Sequence, residues 1–322
     1  MISEKTEPRV VALIPCYNTR PYIRAAVVSL LNQTRPLDLI VVLDDCSTDG
    51  FEEEIRDLVE QNANLIIHRH PHNLGRSGCR NAGFEQFQAD FYILNDADDV
   101  SMPTRVEKSL SYMAEHPNCG VVAGFVNYID TQGNITGTTT EWDLFTAEDC
   151  ARYRNSLTPI GLNGSTVCMR GELVQRDGFR FDTALPACED MEFWNLILEK
   201  GWDVIVLPEI LAQYRLHPNS IFTSRFVFCK TYDKYVTDRL IRRRTGQAPI
   251  DYETFMENVS RQGFRNQWRF YYPIYANYFY RTGGFHLIEK HYLRGAFMVG
   301  LSLLMQPSRF KRLVRQRFGK RF

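Results

Sequence analysis

The sequence predicts an α/β protein with a mainly parallel central sheet, helices flanking it, and a mainly helical appendage. Three observations predict this. From Val10 to about Val126, short apolar runs alternate with amphipathic stretches, the mark of βαβ units and a parallel sheet. Polar clusters follow those runs, at the strand ends where such sheets bind ligands. Beyond Ser220 the pattern turns helical and rich in Arg and aromatics. The expected division is 1–220 for the sheet domain and 221–322 for the appendage.

In order, "VVALIP" precedes a helical "RPYIRAAVVSLLNQT", "LDLIVVLDD" precedes "FEEEIRDLVEQN", and "NLIIHRH" precedes "SGCRNAGFEQFQ". "FYILNDADD" then leads into "PTRVEKSLSYMAEH", whose Pro103 suits the first turn of a helix, and "GVVAGFVNYI" follows as a strand. The Gln-Gly-Asn of "NYIDTQGNITG" reads as a hairpin turn. After it, "GSTVCMR" reads as a strand, "EDMEFWNLILEKG" as a helix closed by Gly201, and "DVIVLPEILAQYRLHP" as one or two strands.

At 322 residues and 37.5 kDa, with 44% hydrophobic residues, the chain can bury a sizeable core. Its eight cysteines include no CxxC pair, so neither a zinc knuckle nor a disulfide framework is expected, and reduced thiols in a cytoplasm are. The N-terminus does not read as a secretory signal, and no run approaches the roughly 18 apolar residues of a membrane span. The sequons at Asn32, Asn134, Asn163 and Asn258 are read as chance. Net charge is zero, but residues 1–220 hold 18 Lys+Arg against 32 Asp+Glu, and residues 221–322 hold 20 against 6. Minus 14 and plus 14 imply two parts with different partners.

The densest polar cluster is "NDADD", with Asp96, Asp98 and Asp99 directly after an apolar run. A solvated turn is the bland reading. An EF-hand fits Asp96, Asp98 and Glu107 at positions 1, 3 and 12, but Val100 at position 5 and Ser101 in place of the required Gly at position 6 exclude it. A dinucleotide-binding fold is disfavoured, because "PCYNTRPY" and not GxGxxG follows the first strand. A metal–diphosphate clamp accounts for the cluster: a hard cation, Mn2+ or Mg2+, relieves the repulsion and takes the rest of its shell from substrate phosphates.

"ALIPCYN", "VVLDDCSTDG", "NLGRSGCRNAG", "LNDADD" and "CEDMEFW", in this order over roughly residues 8–220, resemble the motifs of glycosyltransferase family 2, of GT-A fold. The resemblance implies an inverting transfer from a nucleotide sugar, UDP-sugar favoured, to a saccharide or lipid-linked acceptor. It implies Asp45, or its neighbour Asp44, on the nucleobase, with Pro15, Tyr17 and Asn18 shaping that pocket. One of the acidic pair could instead cap the following helix, and Tyr17 could be core packing. Arg80 would reach the nucleobase or the phosphates, or be an exposed helix arginine. Asp96 would touch ribose or metal, Asp98 would ligate the metal, and Asp99 would orient its neighbours. His217 is placed as a late ligand of metal or diphosphate. Asp190 would be the general base; an acidic helix start stabilised by the macrodipole would explain it, and Glu189, equally well.

Two other classes fit the sequence less well. A sugar nucleotidyltransferase lacks its Gly-rich basic loop here, and an inactive scaffold is at odds with Asp45, Asp96, Asp98 and Asp190 all being present. In the appendage, Phe264–Phe285 carries ten aromatics in 22 residues, which suits either packing or a membrane surface. "LRGAFMVGLSLLM" could lie in a membrane interface. The final "PSRFKRLVRQRFGKRF", with seven Lys/Arg and no acid, reads as a contact to an anionic membrane surface on the cytoplasmic face. Nucleic acid is not expected, since no RNA-binding motif accompanies the charge.

Overall fold

The computed structural model describes residues 7–140, 143–217, 220, 224–288 and 290–306. The chain forms two compact units, divided after His217.

The first unit is built on one sheet. Its strands are β1 (Val10–Cys16), β2 (Leu39–Asp44), β3 (Leu65–Arg69), β4 (Phe91–Leu94), β5 (Val100–Ser101), β6 (Cys119–Ile129), β7 (Ile135–Thr139), β8 (Cys168–Arg170) and β9 (Asp203–Arg215). They lie in the order β3-β2-β1-β4-β8-β6-β9-β5, with β7 paired to β6. Pairings β3-β2, β2-β1, β1-β4 and β6-β9 are parallel, while β8 runs antiparallel to both β4 and β6. Between the strands come α1 (Ile23–Leu31), α2 (Glu52–Gln61), α3 (Gly75–Gln86), α4 (Arg105–Glu115), α5 (Ala147–Arg154), α6 (Glu172–Gln175) and α7 (Glu189–Glu199).

Strands β1 and β2 read as unbroken apolar runs because helices cover both faces of the sheet, and Leu13, Ile14, Val41 and Val42 are fully buried. Each such side chain contributes about 1.5–3 kcal/mol through burial. Trp194 and Phe193 of α7 join the same core, so the helix that begins with Glu189 and Asp190 is anchored by its apolar face.

Several local expectations are refined. Pro103 stands in the turn before α4, two residues ahead of its first helical residue. In "GSTVCMR" only Cys168–Arg170 is strand, and Gly164–Thr166 is a single 3-10 turn. The stretch from Asp203 is one strand; it carries Pro208 through a break in register, where Gly124 pairs with Leu207 and Phe125 with Ile210. That bulge is where a strand tolerates proline. The eight cysteines are free thiols.

The second unit is helical: α8 (Phe226–Thr245), α9 (Tyr252–Arg261), α10 (Phe264–Ile288) and α11 (Tyr292–Met305). Helix α8 stops at Gly246, and Arg242, Arg243 and Arg244 in its last turn suit the negative end of the macrodipole. Asp251 caps α9 by accepting from the Thr254 amide at 2.7 Å. Tyr232 of α8 stacks on Tyr252 with centroids 4.1 Å apart, so aromatic packing supplies part of this small core. No helix among the described residues is long and apolar enough to cross a membrane. The basic run 307–322 lies outside the described residues.

Candidate active site

The polar strand ends of β1, β2 and β4 lie at one edge of the sheet. The β1 and β2 loops are bonded to each other: the Asn18 amide donates to Ser47 Oγ at 3.0 Å, and Asn18 Oδ1 accepts from the Thr48 amide at 2.9 Å. Asn18 holds φ +54 to do this, a left-handed backbone that asparagine tolerates better than most residues. Pro15 lies within β1, and Tyr17 is 55% exposed, which excludes the core-packing reading for that ring.

The two aspartates after β2 have separate partners. Asp44 is fully buried and accepts from the Ser47 amide at 2.8 Å, with Arg69 Nε 3.4 Å away. Asp45 accepts from the amides of Leu74 (2.6 Å) and Gly75 (2.9 Å), one on each carboxylate oxygen. The alternative to a nucleobase contact is that one of the pair caps the helix that follows it. Asp45 instead caps α3, some thirty residues later, where unpaired amides and the positive end of the dipole favour an anion.

Helix α3 then carries two arginines to the acids of α7, Arg80 buried and Arg76 with its side chain 42% exposed. Arg80 is only 3% exposed, so it is not the exposed helix arginine weighed above. Its Nη2 donates to Asp96 Oδ1 at 2.7 Å, its Nη1 lies 3.7 Å from Glu189 Oε1, and its guanidinium sits over the Phe181 ring. Arg76 Nη2 reaches the same Glu189 oxygen at 3.3 Å. Burial pulls the Arg76 guanidinium down, but the carboxylates of Glu189, Asp96 and Asp190 outweigh it and hold it above its ordinary range. Asn81 exchanges two hydrogen bonds of 2.9 Å with the Phe181 backbone, tying α3 to the chain that leads into α7.

Glu189, 2% exposed, has no hydrogen bond on either carboxylate oxygen among the described residues and lies against the guanidinium groups of Arg76 and Arg80. Asp190 beside it is half-buried and accepts from the Met191 amide at 2.7 Å. Burial first, and the Glu189 charge second, push the Asp190 carboxyl up to about 6, against the pull of Arg76 and Arg80. An acid so tuned is ionised at neutral pH and still a useful proton acceptor. The acidic helix start therefore has structure beyond a macrodipole effect.

The acidic loop after β4 is held from beneath. Arg105, fully buried, donates to Asn95 Oδ1 (3.0 Å), Ser101 Oγ (2.7 Å) and the carbonyls of Leu94 (2.6 Å) and Val167 (2.9 Å). Burial lowers its guanidinium to about 10. Asp99 is buried and accepts from the Arg215 amide at 2.8 Å; burial, then Asp98 and Asp96, raise its carboxyl well above the usual range. Asp98 Oδ2 meets His217 Nε2 at 2.8 Å, across 119 residues, and the His217 ring packs on Tyr22. Arg215 Nε donates to the Asp98 carbonyl at 2.9 Å. Glu107 is bonded to the Thr34 hydroxyl at 2.6 Å and Val100–Ser101 pairs with β9, so the calcium-loop arrangement is absent.

The donor set fits a hard divalent ion: Asp98 and His217 converge, with Asp96 two residues away though engaged by Arg80. Among the described residues no three His, Cys, Asp or Glu side chains converge closely enough to hold an ion by themselves. Arg76, Arg105 and Arg215 were not singled out from sequence. A signal existed for two of them: Arg76 and Arg105 stand in first turns of helices, where the macrodipole disfavours a cation unless an acid or carbonyl cage compensates.

A model of the family described as Glycosyl transferase family 2 matches residues 11–171, half of the 322-residue chain. The chain belongs to glycosyl transferase family 2. Among relatives of this glycosyltransferase, an uncharacterized glycosyltransferase of Methanocaldococcus jannaschii is 24% identical over 239 residues, 73% of this chain and 80% of its own. The putative teichuronic acid biosynthesis glycosyltransferase TuaG of Bacillus subtilis is 28% identical over 70% of this chain and 85% of its own. A UDP-Glc:alpha-D-GlcNAc-diphosphoundecaprenol beta-1,3-glucosyltransferase of Escherichia coli, WfgD, is 26% identical over 66% and 79%. Among solved structures, the mannosyltransferase PcManGT of Pyrobaculum calidifontis, in complex with GDP-Man and Mn2+, has a TM-score of 0.60 at 18% identity, over 96% of this chain and 84% of its own. Residues 1–349 of S. aureus TarS, in complex with UDP-GlcNAc, give 0.58 at 18%, over 84% and 80%. These likenesses concern the fold, which is of GT-A type with a helical C-terminal region.

Proposed function

We propose that this glycosyltransferase is an inverting, divalent-metal-dependent enzyme that moves a sugar from a nucleotide sugar, UDP-sugar favoured, to a hydroxyl of a saccharide or lipid-linked acceptor. The observation that carries the reading is the pair of contacts made by buried Arg80, 2.7 Å to Asp96 and 3.7 Å to Glu189. Through it the acidic loop after β4 and the acidic start of α7 belong to one site.

In this reading Asp190 takes the proton of the acceptor hydroxyl as its oxygen attacks the anomeric carbon, and the bond to the diphosphate oxygen breaks on the opposite side. The sugar carbon is inverted. Glu189 and burial keep Asp190 basic enough for the task, and the two arginines keep it ionised. Asp98 and His217, with Asp96 adjacent, would hold Mn2+ or Mg2+, which neutralises charge on the departing diphosphate. Two protein ligands leave most of the shell to substrate oxygens, the usual habit of such ions in nucleotide sites. Asp45 would meet the nucleobase with lone pairs left by its amide bonds, beside Pro15, Tyr17 and Asn18; Asp44, fully buried against Arg69, is not open to a nucleobase. Arg80, engaged by two acids, is assigned to positioning Asp96 and Glu189 in preference to free contact with phosphate.

UDP-Glc in the name of WfgD and UDP-GlcNAc bound to TarS support a uridine donor, and the undecaprenol acceptor in the WfgD name supports a lipid-linked one. The enzyme would work in the cytoplasm, against a membrane surface that carries such an acceptor. A thermal-shift panel of UDP-, GDP-, dTDP- and CMP-sugars with and without Mn2+ tests the donor: one nucleotide should stabilise, and only with metal. Silence for every donor would sink the reading. Asp190→Asn should abolish turnover and retain that shift; loss of the shift would refute the assignment of the proton acceptor.

A further inference from the structure

The hairpin of α10 and α11 packs along a seam of small residues and leaves three large apolar side chains of α11 exposed. The two helices run antiparallel, with Ser302 Oγ donating to the Ala276 carbonyl at 2.7 Å. A Cβ on Gly283 would stand 2.9 Å from the Val299 amide nitrogen, and one on Gly295 would stand 2.8 Å from the Gly283 carbonyl oxygen. So the backbones touch along a seam of Gly, Ala and Ser. On the other side, Leu293 is 91%, Phe297 72% and Leu304 79% exposed. Spacings of four and seven put these three on one face of α11. In water such a face is a liability; in a lipid interface it is the contact surface.

We infer that the outer face of α11 docks in the interface of an anionic lipid bilayer, with Leu293, Phe297 and Leu304 at acyl depth. At 1.5 Å per residue its 14 residues extend about 21 Å, short of the roughly 30 Å of a hydrocarbon core, so it lies in the surface plane. Charge selects the occupant. The chain continues directly from Gln306 into residues 307–322, seven Lys/Arg without an acid, within a region that carries 20 cations against 6 acids. A second copy would bring the same positive charge against itself, whereas an anionic surface neutralises it. Exposed Trp268 and Phe264 on α10 are residues that favour headgroup depth. Within the same stretch Ile274 and Ala276 are buried in packing, while Phe264 and Trp268 are exposed.

The test is flotation of the full-length protein with vesicles of phosphatidylcholine alone and of phosphatidylcholine with phosphatidylglycerol at about three to one. Wild type should float with the mixed vesicles. Leu293→Glu/Phe297→Glu should lower its partition by about tenfold or more, with circular dichroism and thermal unfolding reporting that the fold persists. Should that variant misfold, Phe297→Trp decides: brominated lipid should quench it beyond the quenching of wild type. Flotation equal in wild type and the double variant, or no added quenching in Phe297→Trp, overturns the inference. So does wild type that dimerises, fails to float, and becomes monomeric on substitution, because a second copy then covers the face. Vesicle binding and sugar transfer are read separately, so failure of one leaves the other standing.

Discussion

Glu189→Gln should move the acid limb of the rate profile downward. The Asp190 carboxyl stands at about 6 against an ordinary 3.8, with burial as the first cause and the Glu189 charge as the second. The substitution keeps the volume and removes the charge, so burial stays and one raising influence goes. A like charge on an adjacent residue, at the effective dielectric of about 20 suited to protein sites, is worth about 2 kcal/mol, between one and two pKa units. Since the ionised form accepts the proton, wild-type kcat/KM should fall as pH drops through about 6, and the variant should hold its rate to a pH lower by about one unit. The assay is release of nucleotide diphosphate from the donor across pH 4.5 to 8 (about the range in which carboxylates and imidazoles titrate), with donor saturation checked at each point. A limb that stays in place, or that moves up, would refute the assignment of Asp190 as the titrating acceptor.

Arg76→Met should shift the same limb upward, because Arg76 lowers the Asp190 carboxyl, and a downward shift would contradict the pairing seen here. Arg105→Met should cost about 3 kcal/mol in urea unfolding of the catalytic unit, since it removes four hydrogen bonds to buried acceptors, although Asn95 Oδ1 and the Val167 carbonyl each keep a second donor, and takes away the support of the acidic loop; a loss under about 1 kcal/mol would show the cage to be replaceable. Asp98→Asn and His217→Ala should each erase most of the Mn2+-dependent part of the donor thermal shift, a stabilisation of about 2.7 kcal/mol at a hundred times Kd, and an undiminished shift in both would move the metal elsewhere.

Much of the sheet was legible because its parallel strands are buried on both faces and so read as plain apolar runs ending in polar clusters. Strand β8 was read too long, and its insertion between β4 and β6 was not read. Three residues carry no period of their own and are strand only because neighbours pair them. The acidic loop and the helix start at Glu189 were legible as chemistry, but their connection was not. It runs through Arg80, with Arg76 beside it, and arginine is so commonly exposed that sequence alone argues against a buried Arg80. Asp45 illustrates a different gap: local reasoning caps the nearest helix, whereas the sheet brings the start of α3 to the end of β2 across thirty residues.

That cap limits how the enzyme can change. Under the proposed donor contact, altering which nucleobase is accepted would start at Asp45, but Asp45 also fastens the first turn of the helix that bears Arg76 and Arg80. A substitution there would loosen the two cations that hold down the Asp190 carboxyl. With Asp45 in the proposed donor contact, donor preference and the start of α3 hang on one carboxylate, and an engineer seeking a new donor would have to rebuild the helix start along with the pocket.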